Sequence, residues 1–146
     1  MQNITTVPAL SVPSTRRGLH FSLWSAQVLV AGVFLLAGGM KLTAPVETLQ
    51  AQMPWVNGAL GGAVRFIGLA EVLGGLGLLL PAATRIAPVL TPVAASGLTV
   101  VMVLATVTHL TRGEFEMVPV TLTIGSAAAF IAWGRFARAP IAPRGK

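Results

Sequence analysis

Four apolar stretches, each close to the length of a bilayer crossing, constrain this chain more than any other feature. A spanning helix needs roughly 20 mainly apolar residues. The stretches cover residues 21–40, 60–80, 87–110 and 118–134. The first carries no charge and closes at Lys41. The second holds Arg65 and Glu71 and is expected to stop at Pro81. The third has Pro88 and Pro92 in its first turns, where backbone N–H groups lack intrahelical partners anyway. The fourth closes at Arg135. Of the 146 residues, 54% are hydrophobic and only 10% charged, against about 25% charged in a typical soluble domain. A soluble protein of this size could not bury so much apolar surface, whereas a bilayer solvates it. The expected fold class is all-α, an integral membrane four-helix bundle over residues 20–135. A disordered leader, residues 1–19, is expected before it and a basic tail, residues 136–146, after it.

Charge placement orients the bundle. Arg16, Arg17, Arg85, Arg135, Arg138, Arg144 and Lys146 fall on one side of a four-span arrangement. Lys41 and Arg112 fall on the other, together with Glu47, Glu114 and Glu116. The positive-inside rule then places both termini in the cytoplasm. The net charge of +6 is thus read as membrane orientation rather than nucleic-acid affinity, since no Lys/Arg runs interleave with aromatics. The stretch 43–57 reads as an interfacial segment with Trp55 at headgroup level, and Trp24 and Trp133 lie near span ends.

Several chemistries are excluded or disfavoured. The chain has no cysteine, which removes disulfides, thiolate catalysis and any CxxC relay. Its two histidines, His20 and His109, lie at opposite membrane faces, so they cannot share a haem or a zinc ion. The glycines around Gly61–Gly62 and Gly74–Gly77 lie inside a helix and are not a phosphate-cradling loop.

Ionisable groups inside a bilayer are costly and usually face the bundle interior. Gly61, Gly68 and Gly75 recur every seventh residue and draw a small-residue stripe down the second span, a surface that lets another helix approach closely. Arg65 and Glu71 flank that stripe, separated by about 9 Å along the axis. Both are expected to point at neighbouring helices, either fixing the bundle or forming a ligand site. Ser96, Thr99, Thr106 and His109 make a polar stripe along the third span, whose hydroxyls either bond carbonyls one turn back or line a pocket. Lys41 is either a snorkelling anchor or a member of the same site. Lys41, Arg65, Glu71 and His109 would together line a polar cavity open toward the outer leaflet, with Glu71 and His109 as candidate acid/base groups. Arg112, Glu114 and Glu116 read as a solvated loop.

Three segments carry a resemblance. They are Gly38-Gly39-Met40-Lys41-Leu42, the Arg65-x-x-Gly68-x-x-Glu71 pattern running on to Gly74-Gly75, and Pro92 through His109-Leu110-Thr111-Arg112-Gly113-Glu114. Over residues 20–135 the chain resembles the DoxX/DoxX-like family of small bacterial four-helix membrane proteins. That resemblance implies a multi-pass subunit of the bacterial cytoplasmic (inner) membrane. It also implies docking of a partner redox enzyme or of a quinone, since the chain carries no intrinsic redox group and any electron transfer would use a bound quinone or a partner's cofactor. The leading expectation is a membrane subunit or accessory protein of a redox-type complex with a site for a small polar or quinone-like ligand. A proton-coupled transporter, a membrane-embedded isomerase or hydrolase using Glu71 or His109, and a purely structural assembly protein stay open. The glycine stripe serves intrachain packing or a homo-oligomer equally well.

Overall fold

The computed structural model describes residues 14–53, 56 and 60–145. Among the described residues there are five α-helices: α1 (Ser14–Thr43), α2 (Val46–Gln52), α3 (Gly61–Thr84), α4 (Leu90–Arg112) and α5 (Val118–Trp133). A single 3-10 turn, Phe115–Met117, leads into α5, and a wide π turn, Gly134–Arg138, leaves it. Four of these segments, of 27, 24, 23 and 24 residues, have the length and apolarity to cross a membrane. A 24-residue helix is about 36 Å long, enough for the roughly 30 Å hydrocarbon core.

The four long helices pack in cyclic order, α1 on α3, α3 on α4, α4 on α5 and α5 back on α1. Consecutive long helices run antiparallel, so the start of α1 and the end of α5 meet at one end of the bundle. We call this the terminal end and the other the loop end. The core draws on every long helix: Val30, Ala31 and Phe34 from α1, Leu78 from α3, Leu98 and Met102 from α4, Ala128 and Ile131 from α5. Only 28% to 33% of each spanning window is buried. Phe21, Leu29, Leu36 and Phe66 are each more than two-thirds exposed. In water such continuous apolar surface would drive association, whereas lipid accommodates it. At the loop end, α2 folds back so that Leu49 and Val56 pack on Val64 of α3 as a small second core. Trp55, expected at headgroup level in this segment, lies outside the described residues.

Three boundaries differ from the sequence reading. Helix α1 begins at Ser14, inside the expected leader, because residues 14–20 contain no proline to halt it. Residues 1–13 lie outside the described set. Helix α3 does not stop at Pro81 but runs through it to Thr84. Neighbouring side chains can take up backbone groups near a proline in a membrane helix. Here the Gln27 amide of α1 donates to Leu78 O at 2.7 Å, one turn before Pro81. Arg85 then ends the helix in the left-handed region (φ 61°), its N–H bonded to Pro81 O. Ala87 is also left-handed (φ 46°), which delays α4 from residue 87 to Leu90.

Candidate functional site

The loop-end cluster starts from a backbone contact. A Cβ added at Gly38 would lie 2.7 Å from Gly68 O, and one at Gly68 would lie 2.9 Å from Gly38 O. Only paired glycines let α1 and α3 approach this closely. Gly75 continues the contact against Leu35 and Ala31 of α1. The glycine stripe read from the sequence is therefore used inside the chain, while Gly74 and Gly77, on another face of α3, receive Leu98 and Ala94 of α4.

This close crossing sets Lys41 opposite Glu71. Lys41 Nζ donates to both carboxylate oxygens, at 2.8 Å to Oε1 and 2.7 Å to Oε2. The Glu71 side chain is 5% exposed and that of Lys41 16%. A pair this dry roughly balances desolvation against attraction, but losing one member leaves an uncompensated buried charge. Arg65 serves the same contact differently. Its Nη1 donates to Lys41 O and its Nη2 to Ala44 O at 2.6 Å. The last four carbonyls of a helix have no intrahelical partner and carry the negative end of its dipole, so a guanidinium is well placed there. Arg65 is thus the C-terminal cap of α1, supplied from α3.

Of the four residues expected around one outer cavity, three come together and one does not. His109 Nδ1 lies 2.6 Å from Glu114 Oε2 beyond the end of α4, and Arg112 Nε donates to Glu114 Oε1 at 2.8 Å. Glu114 is therefore not merely solvated but bridges the Arg112 guanidinium and the His109 ring at the α4–α5 turn. The Arg112 guanidinium first, and then the His109 ring, hold its carboxyl below the usual carboxylate range. The polar stripe along α4 is satisfied locally. Ser96, Thr99 and Thr106 bond the carbonyls of Pro92, Ala95 and Met102, and Thr106 also reaches Thr121 Oγ1 of α5 at 2.8 Å.

The terminal end holds a cluster that the sequence reading missed. Arg135, taken there as the charge closing the fourth span, is 2% exposed. Its Nε donates to Gln27 Oε1 at 2.6 Å, and its Nη1 lies 3.3 Å from both His20 Nδ1 and Ala139 O. Gln27 is completely buried and hands its own amide N–H to Leu78 O. Trp24 Nε1 donates to His20 Nε2 at 3.0 Å, and the guanidinium lies 5.5 Å from the centre of the Trp24 ring, a cation–π distance. Four side chains from α1 and the α5 exit thus fix one another. The sequence signal was Gln27, an amide in the middle of an otherwise apolar run.

Two hollows open at this same end. One, of about 650 Å3, is lined by Arg17, His20, Trp24, Arg138 and Pro140. The other, of about 410 Å3, is lined by Arg135, Pro92, Phe136, Pro140 and Ile141. Residues Ala139 to Gly145 cross this end as a strap, held at its far side by Arg85, whose Nε donates to Ala142 O and whose carbonyl accepts from Arg144 N. Among the described residues, no three histidine, aspartate or glutamate side chains gather as metal ligands.

No curated protein and no solved structure matches the chain. The model of the DoxX-like family matches residues 25–131, which takes in the Gly38–Gly68 crossing, the Lys41–Glu71 pair and the four long helices except the start of α1 before residue 25 and the last two residues of α5. This multi-pass, four-helix membrane protein belongs to the DoxX-like family.

Proposed function

We propose that the chain is a non-catalytic subunit or accessory protein of a membrane redox-type complex, seated in a bacterial inner membrane with both termini in the cytoplasm. The redox assignment follows the resemblance described above, and the orientation follows the arginines gathered at the terminal end. One observation carries the non-catalytic part: Lys41 closes on both oxygens of Glu71. A carboxylate that abstracts a proton, or exchanges one for a cation, needs an oxygen within reach of its substrate. Here an exported cation would first have to displace a lysine of the same chain. His109 is likewise engaged by Glu114. Stand-alone acid/base catalysis and proton-coupled transport both lose support on these grounds.

The loop-end residues give a quinone little support. Among the described residues, Lys41 Nζ is engaged by Glu71, Arg65 by two carbonyls and His109 by Glu114, which disfavours them as donors to a quinone oxygen. The ligand site of this reading therefore moves to the terminal end, where both hollows lie. A homo-oligomer built on the glycine stripe also loses support, because α1 occupies that face.

The test is purification of the tagged protein from its native membrane in mild detergent, with mass spectrometry of everything retained. A stoichiometric redox enzyme is the expected result. Recovery of this chain alone would overturn the subunit reading.

A further inference from the structure

All four acidic side chains of the protein, Glu47, Glu71, Glu114 and Glu116, belong to the loop half of the bundle. Glu71 is taken by Lys41, and Glu114 by Arg112 and His109. The terminal end holds Arg17, Arg85, Arg135, Arg138 and Arg144 with no side-chain carboxylate near them in the fold. For exposed arginines, water is sufficient. Arg135 is buried, and a buried cation is normally retained only with a counter-charge. Its contacts are an amide, an imidazole, a carbonyl and an indole face, all formally neutral as ordinarily drawn.

The hydrogen bonding leaves the same gap. Nε and Nη1 are engaged, but Nη2 is buried without a partner. Thr91 Oγ1 is the other buried polar side-chain atom in that condition, and it too lies at the terminal end, next in sequence to Pro92 in the wall of the smaller hollow. Arg135 lines that hollow, whose other walls include Pro92, Phe136 and Ile141. A cation with a free donor in a mainly apolar pocket near the end of a spanning helix suits an anion that carries an apolar tail.

We propose that the smaller terminal-end hollow binds a phosphate group, that of an anionic membrane lipid, with Arg135 Nη2 as its buried donor and counter-charge. Arg17 and Arg138, lining the larger hollow that shares Pro140, draw the anion toward this end. The strap from Ala139 to Gly145 closes over the site and shifts to admit the group, since Nη2 is shut off from solvent. This deepens the terminal-end ligand site of the proposed function by naming its ligand class.

The experiment uses the full chain in a neutral detergent. Tryptophan fluorescence melts are recorded with short-chain phosphatidylglycerol, with phosphatidylcholine of the same chains, and with inorganic phosphate. Phosphatidylglycerol is expected to raise the melting temperature progressively, by about 8 °C at a hundredfold excess over its Kd, and phosphatidylcholine to leave it unchanged. Arg135→Lys keeps the charge but loses the fork, so the response should persist at about tenfold weaker affinity. Arg135→Gln should abolish it, while Arg144→Gln should not alter it. If Arg135→Gln does not fold, the Arg135→Lys weakening and the phosphorus NMR shift of bound lipid decide. A response to inorganic phosphate equal to that of the lipid would retain the phosphate site but assign it to the free anion. No response to either anion, or an unchanged response in Arg135→Lys and Arg135→Gln, overturns the proposal. Binding of a neutral quinone at the same end, without anion response, would overturn it too, yet leave the subunit reading intact. Loss of the redox partner in the purification would do the reverse.

Discussion

The two ends of the bundle handle buried charge in opposite ways. At the loop end, Lys41 meets Glu71 with two hydrogen bonds, and Arg65 caps the end of α1. At the terminal end, Arg135 is buried to the same degree but its contacts include no carboxylate. At the loop end the buried carboxylate is therefore neutralised within the chain. At the terminal end the buried guanidinium is hydrogen-bonded but not neutralised. Burial of a charged side chain does not by itself mark a functional site. What distinguishes the two is whether the chain supplies the opposite charge. The loop end answers the question of what holds α1 to α3, and the terminal end raises the question of what binds there.

The largest expected effect tests the neutralised pair at the loop end. Glu71→Gln or Lys41→Met leaves one charge buried and should cost about 3–5 kcal/mol of stability in detergent unfolding. The double substitution Lys41→Met with Glu71→Leu should recover most of that loss. If the single variants are as stable as the parent, the pair is not an essential clasp and the contrast between the ends collapses. Next is the backbone contact beneath the pair. Gly68→Ala would set a Cβ 2.9 Å from Gly38 O, and the strain should cost about 1–3 kcal/mol, whereas Gly39→Ala, with open space around it, should cost nothing measurable by the same melts.

Gln27→Leu sharpens the other side. It removes the acceptor for Arg135 Nε and a second donor to Leu78 O, and leaving Nε buried and unpaired should cost about 1–3 kcal/mol. A loss well below that range, read from the same unfolding curves, would mean that the guanidinium finds another partner. The smallest effect concerns Glu114. Its carboxyl titrates lower in the folded chain than in the unfolded one. Its contribution is therefore present above the unfolded carboxylate pKa and is lost as pH falls through the lower, folded value. Stability measured from neutral to acid pH should fall slightly in the parent and show a smaller acid decrease in Glu114→Gln. Parallel profiles for the two proteins would mean that the His109–Glu114–Arg112 bridge contributes nothing.

The spans were legible because their signal is local. Residues 60–80 and 118–134 lie close to α3 and α5, since a long apolar run has one stable form in lipid. The pointing of Arg65 and Glu71 toward neighbouring helices was legible for the same reason, because their angle to the glycine stripe follows from helical geometry. Less legible was the partner of each. Lys41 read first as a snorkelling anchor and only second as a site residue, and which turn of α1 faces Glu71 depends on how Gly38 seats on Gly68. Arg135 was misread because position near a span end says nothing of depth. The π turn Gly134–Arg138 places its guanidinium inward, against Gln27, a residue 108 positions away.

The sequence by itself determined that this protein lies in a membrane, how many times it can cross, and which faces of its helices are small enough to touch. These follow from hydrogen-bonding and solvation rules that act within one helix at a time. The tertiary structure alone decided which charges are neutralised and which is not. Pairing depends on the register between helices, and a shift of one turn, about 5 Å, moves an ammonium out of reach of a carboxylate. Lys41 found its counter-charge on α3, and Arg135 found only neutral partners.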